Sequence, residues 1–167
     1  RLQQAMQVSE FASALRQELD LGQLLHKTLE YLLTKVGSTN AAIFLPAGPD
    51  QFTLGGYINY DCAADCVDVL IEQLAEGLVA QVADQEKSLH ITDNDSLAVW
   101  FGSDSAYLMD SHVIAFNCCH EGEVLAVVVL FREMGQPYDE TVLEMVNTIA
   151  PILGEYLAKV AGIHHRR

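Results

Sequence analysis

The sequence predicts an α+β domain in which an antiparallel central β-sheet carries helices on both faces, an α/β/α sandwich. Three features predict it. Helical and strand periodicities follow one another as helix, helix, strand pair, helices, short strand, long polar segment, strand pair, helix, and strands joined by short turns pair antiparallel. The arm VLAVVVLF (Val124 to Phe131) is apolar on both faces, as a central strand covered above and below must be. A chain of 167 residues with 50% hydrophobic composition is enough for one continuous core.

Each element has its own signal. Ala5, Val8, Ala12, Leu15 and Leu19 recur in steps of three and four, the rhythm of a narrow coiled-coil seam, and place a first helix suited to pairing with another helix. Asp20 reads as an N-cap with Gln23 three residues on, so a second helix starts near Leu21. Its apolar face runs from Leu21 to Val36, and Lys35 and Gly37 close it with a cation and a C′ glycine. AAIFL (Ala41 to Leu45) and FTLGGYINY (Phe52 to Tyr60), separated by the turn residues Gly48 to Asp50, form a hairpin. Helical spacing returns at Val67, Leu70, Ile71 and Leu74, pauses at Gly77 and resumes with Leu78, Val79 and Val82, giving one broken helix or two short ones. LHIT (Leu89 to Thr92) is a brief strand. The polar stretch from Asp93 to Ser111 exceeds the roughly 12 to 15 residues of a structureless connection, so it is either partly helical or functional. HVIAFNCC (His112 to Cys119) pairs with Val124 to Phe131 across HEGE, and alternation points Cys118 and Cys119 to opposite faces of the sheet. A last helix starts near Asp139, and Pro151 inside it removes one backbone hydrogen bond and should bend it.

Residues 1–20 read as a linker and dimerisation helix, 21–162 as the domain and 163–167 as a tail. A start in mid-helix without an initiator Met is expected of a piece of a larger protein. No apolar run approaches the roughly 20 residues of a membrane-spanning helix, and the N-terminus lacks the order of a signal peptide, so a cytoplasmic protein is expected. Four cysteines are too sparse for a secreted disulfide scaffold, and reduced thiols are the default. Net charge is −14, and the section from Val36 to Phe131 holds 14 acidic residues against Lys87 alone. A field of that sign repels phosphate backbones and anionic lipid, which excludes nucleic acid and membrane surfaces as partners and weighs against an anionic ligand. The ordinary use of such charge is to solvate exposed faces.

Three stretches carry a resemblance. GLVAQVADQEKSLHITD (Gly77 to Asp93), HVIAFNCCHEGEVLAVVVL (His112 to Leu130) and PYDETVLEMVNTIAPILGEYLAKV (Pro137 to Val160) resemble the glycine-led helix and strand, the central hairpin and the closing helix of the GAF domain family. The chain departs from the family's pattern at Asn117 and Cys118, where a proline and an aliphatic residue are common, and at Ala126, where a glycine is common. It lacks the Asn-Lys-Phe-Asp-Glu set of cyclic-nucleotide-binding members, so such a ligand is not expected. The resemblance implies a non-catalytic sensory or regulatory module, a homodimer through its terminal helices, covalently attached to an output domain. A ligand, if any, should be small, uncharged or cationic, and largely apolar; no cofactor is assigned.

The implied pocket would use Trp100, Phe101 and Tyr107 as an aromatic lid over the sheet, with His112, Ile114 and Phe116 from the central strand. Ordinary packing of an irregular loop is the competing reading. His90 and His112 are weighed as ligand contacts or haem ligands against hydrogen-bonded strand-end side chains. The DND run (Asp93 to Asp95) lacks the further oxygen ligands of an EF-hand loop and reads as a turn. Cys62 and Cys66 can share one face, and with Cys118, Cys119 and His120 could complete a zinc site, although the spacing is not a common zinc pattern. A thiol enzyme of the free methionine sulfoxide reductase type is the alternative from another class, disfavoured because Cys118 and Cys119 lie beside Glu121 and Glu123. A ligand-free dimerisation scaffold is the remaining alternative.

Overall fold

The computed structural model describes residues 2–15, 20–85, 88–101 and 108–165. Along the chain run α1 (Leu2–Leu15), α2 (Leu21–Val36), β1 (Asn40–Gly48), β2 (Gln51–Ile58), α3 (Val67–Glu76), α4 (Leu78–Ala83), β3 (Leu89–Ile91), α5 (Asn94–Phe101), β4 (Ser111–His120), β5 (Glu123–Glu133) and α6 (Glu140–His165). The strands form one antiparallel sheet in the order β2-β1-β5-β4-β3, so the doubly apolar arm occupies its centre. The α+β class and the element order are those the periodicities predict.

Local chemistry sets the boundaries. The Asp20 carboxylate accepts the Gln23 N–H at 3.2 Å and starts α2, while Gly37, at φ 89°, ends it by giving its N–H to Leu33. Asp139 starts α6 by accepting from the Thr141 hydroxyl and from the Val142 N–H, and these bonds hold its carboxyl below the usual carboxylate range. Gly77 separates α3 from α4. The long polar segment proves partly helical: Asp93 caps α5 by accepting the Ser96 N–H at 2.7 Å, which is the role of the DND run.

Each face of the sheet builds its own core. On one side α1, α2 and α6 pack Phe11, Leu24, Leu32, Ile149 and Leu153 against Ile43, Ile114, Phe116 and Val128. On the other, α3, α4 and α5 pack Leu70, Leu74, Leu78 and Leu97 against Phe44, Val113, Val127 and Val129. The second side's helices are short, of 10, 6 and 8 residues.

The central hairpin gives Cys118 and Cys119 different surroundings. Glu121 and Gly122, at φ 52° and 80°, make its two-residue turn, and His120 pairs with Glu123. Cys118 is fully buried in the α6-side core, while Cys119 is half-buried and gives its S–H to the Asn117 amide oxygen at 3.4 Å. A bulge falls between them, where the register skips Leu125. Here α6 lies against the strand itself, and a Cβ on Gly154 would stand 2.3 Å from the Cys119 carbonyl oxygen. Asn117 spends its amide on the carbonyls that end α4, bonding Val82 at 3.0 Å and also Ala83 and Gln85.

Arg132 clamps three elements on the α6 side. Its guanidinium donates to the carbonyls of Gln136 (2.7 Å), Pro137 (2.8 Å), Ser38 (3.1 Å) and Val36 (3.4 Å) and lies 4.2 Å from the centre of the Tyr138 ring. The end of α2, the end of β5 and the approach to α6 are thus held by one planar fork. Lysine keeps the charge but cannot span these acceptors, so Arg132→Lys should cost about 1.5–3 kcal/mol. Urea denaturation of both proteins checks this, and an unchanged midpoint would show the clamp to be idle.

His90 on β3 sits opposite Ile114, and His112 lies on the same face of β4. The Nε2 of His112 bonds the Met134 carbonyl at 2.9 Å and so carries the hydrogen, which leaves its buried Nδ1 without a partner among the described residues, as is Nε2 of His90. Burial first, and then His112, hold His90 below the usual histidine pKa. A depressed folded pKa means that this contribution to stability is complete above the unfolded value, about 6.5, and is lost as pH falls through the folded one. The stability of the chain relative to its His90→Gln variant should therefore fall on acidification below about pH 6.5. Paired denaturation curves at several pH values test this, and a constant difference would refute it.

Candidate functional site

Two connections are fastened to one end of the sheet on the α3–α5 side, and a pocket opens between them. Asn40, fully buried at the start of β1, anchors the first. Its amide nitrogen donates to the Asp61 carboxylate and to the Phe131 carbonyl at 2.9 Å, and its oxygen accepts the N–H groups of Tyr60 at 2.7 Å and Asp61 at 3.2 Å. Asp61 also accepts the Glu133 N–H at 3.2 Å, so residues 59–66 are tied to β1 and β5 together. The second connection is held by a reciprocal pair: Asn94 donates its amide to the Asp110 carboxylate at 2.9 Å and accepts the Asp110 N–H at 2.8 Å. The Asp110 carbonyl in turn accepts the Met134 N–H at 2.7 Å.

The pocket between them has a volume of 410 Å³ and is lined by Asp61, Cys62, Cys66, Met109, Asp110 and Glu133 around Phe131. No basic side chain lines it among the described residues. Burial pushes the Cys62 thiol up, Cys66, Asp61 and Asp65 add to this, and the Tyr57 hydroxyl opposes it. Cys66 is also raised, by partial desolvation and by Asp65. Both thiols are therefore held toward the neutral form, which is poor chemistry for a nucleophile and a suitable environment for a cation.

The expected pocket residues divide between the two faces. Trp100 packs against the α3–α5 core, and its carbonyl accepts the Gln81 amide at 2.9 Å, but it is not among the side chains lining the 410 Å³ pocket. Phe101 ends α5, and Tyr107 lies outside the described residues. Ile114 and Phe116 belong to the opposite core, and His112 shares their face of β4, so the sheet separates these three from Trp100. This corrects the assignment by one residue: Val113 and Ala115 are the β4 side chains on the Trp100 side.

The expected dimer seam divides similarly. Ala5 and Val8 are exposed and Ala12 is half-buried, whereas Leu15 is fully buried in this chain's own core beside Phe11, so Leu15 is withdrawn from the seam. Leu19 lies outside the described residues. The Phe11 ring, 4.9 Å from that of Tyr31, and the Lys35–Glu10 ion pair at 2.8 Å hold α1 on α2. A 520 Å³ groove between α1, α2 and α6 includes Met6, Glu10, Lys35 and Met145 in its walls.

Cys62 and Cys66 meet at the pocket, but Cys118, Cys119 and His120 stand at the far end of β4, which separates the two halves of the weighed zinc site. Among the described residues no three His, Cys, Asp or Glu side chains converge as a metal site. Cys119 instead borders a 180 Å³ cleft with Asn117 and Asn147, and burial raises its pKa. Asn40 and Met109 escaped the sequence reading. The only local hint to Asn40 was a polar residue opening an otherwise apolar strand.

The GAF domain family profile matches residues 18–158. The chain is similar to the crystal structure of a GAF domain/HD domain protein from Geobacter sulfurreducens, with a TM-score of 0.72 at 13% identity over 90% of this chain and 97% of that one. It is also similar to the GAF domain of an Acinetobacter phosphoenolpyruvate-protein phosphotransferase, with a TM-score of 0.72 at 15% identity over 98% of both chains. A third similar structure is free methionine-R-sulfoxide reductase from Neisseria meningitidis in complex with its substrate, with a TM-score of 0.71 at 15% identity over 93% of this chain and 89% of that one. No curated protein matches the chain. Among the described residues no helix is long and apolar enough to cross a membrane.

Proposed function

We propose that this chain, which belongs to the GAF domain family, is a cytoplasmic sensory or regulatory module of a larger signalling protein that binds a small uncharged or cationic ligand and dimerises to control an attached output domain. The observation that carries the reading is the 410 Å³ pocket walled by Asp61 and Asp110 from two fastened connections and by Glu133 from the end of β5. Carboxylates that no basic side chain faces among the described residues favour a cation over an anion, and the −14 net charge acts in the same direction over longer range. Ala5, Val8 and Ala12 offer the dimer face, and α1 and α6 pack together on the side of the sheet away from the pocket.

Native mass spectrometry of the purified chain tests both parts, with a dimer and a retained small molecule expected. A strictly monomeric species would remove the dimer reading. If no ligand is retained and no member of a panel of cationic and neutral metabolites raises the melting temperature of the chain, the module is a ligand-free dimerisation scaffold.

One observation favours an enzyme: Cys62 and Cys66 line the same pocket, and reductases of free methionine sulfoxide are among the similar folds. Against it, both thiols are held toward the neutral form. Methionine sulfoxide reduction by the chain in the presence of dithiothreitol would establish that reading in place of the first.

A further inference from the structure

We infer that Cys62, Cys66 and Met109 hold a soft monovalent cation of the copper(I) and silver(I) class at the wall of the acidic pocket. The inference rests on the reading of that pocket as a ligand site and names its ligand. The chain has eight sulfur-bearing side chains, four Cys and four Met, and three of them line this one cavity. They arrive from two separate connections, Cys62 and Cys66 from the one tied down by Asn40, Met109 from the one tied down by Asn94. The Cys66 N–H bonds the Ala63 carbonyl at 2.9 Å, a turn that folds the chain back and brings the two thiols onto one wall. Met109 is 55% exposed, so burial in a core does not account for its position.

The donor set selects the ion. Thiolates and a thioether are soft ligands that favour copper(I) over harder divalent ions. Zinc would need a fourth strong ligand, and the described residues bring no three His, Cys, Asp or Glu side chains to one point. Asp61 is occupied by Asn40 and by the Glu133 N–H, so it serves as countercharge and leaves coordination to the sulfurs. The surrounding carboxylates of Asp61, Asp110 and Glu133 attract a cation to this wall.

The test uses the full chain, reduced and handled without oxygen, with copper(I) supplied from a coloured chelator of known affinity. Transfer of one ion per chain is expected. Losing a direct ligand should exceed the roughly 10–100-fold cost of losing an outer-shell partner, so Cys62→Ser and Cys66→Ser should each weaken binding by more than about 100-fold. Met109→Leu should weaken binding less, and Cys119→Ser should leave it unchanged. No transfer, or full transfer to a Cys62→Ser/Cys66→Ser double variant with native circular dichroism, would overturn the inference. If the chain binds an organic cation and not copper(I), the metal falls and the ligand pocket stands; if it binds neither, both fall.

Discussion

Replacing Gly154 by alanine should lower the melting temperature by roughly 6–12 °C, the equivalent of about 3 kcal/mol in a chain of this size. The added Cβ would stand 2.3 Å from the carbonyl oxygen of Cys119, 2.7 Å from its carbon and 3.0 Å from its nitrogen. All three obstacles are backbone, so no side chain can rotate out of the way. Ordinary overpacking costs about 1–3 kcal/mol, and a collision with a strand held by its ladder should reach about 4. Alanine returns about 1 kcal/mol of helix propensity at a mid-helix glycine, which the collision outweighs. Thermal unfolding measured by circular dichroism decides the matter, and an unchanged or raised transition would show that α6 does not press on β4.

Asn40→Asp should cost about 3–5 kcal/mol at neutral pH, as removal of one partner from a buried charged network does. The new carboxylate would keep the acceptors for Tyr60 and Asp61, lose the donor to the Phe131 carbonyl and face the Asp61 carboxylate directly. Burial and that like charge both raise its folded pKa above its unfolded value. The folded state then binds more protons than the unfolded one, so stability falls as pH rises and recovers on acidification. Asn40→Asp should therefore approach the parent as pH falls toward about 4.5, before the parent's own carboxylates protonate. Denaturant midpoints across pH test this, and a variant equally weakened at every pH would show loss of the amide donor alone.

Legibility in the sequence followed the range of the interaction. Asp20, Gly37, Asp139 and the hairpin turn act within four residues, and their chemistry could be read from neighbours. The central place of Val124 to Phe131 was equally plain, since an arm apolar on both sides has no solvent face to offer. The face of β4 was not legible for the same reason. Val113, Ile114, Ala115 and Phe116 are all buried, so no polar alternation marks which residues meet α5 and which meet α6. Leu15 misled differently, because an a/d rhythm serves equally well for packing on the chain's own α2 and α6. The pocket was least legible of all. Asn40 and Asp61 are 21 residues apart, and Cys66 and Met109 meet only because two connections close over the same end of the sheet.

The partition of α1 and α6 on one side of the sheet from the pocket on the other gives the proposed function a rule of reciprocity. Asn40 stands on the pocket side of that partition: it holds Asp61 and lies in the strand beside β5, on whose other face α6 packs. Whatever free energy an occupied pocket contributes to one arrangement of the two helices, that arrangement must return to the pocket as affinity, in equal amount. On the proposed reading of the pocket as a ligand site coupled to these helices, locking the pair in one geometry, for example by fusing a stable coiled coil in register with α1, should act as a ligand does. Its strength as a substitute would be the binding constant it raises or lowers, so the coupling between the two faces can be measured from either end.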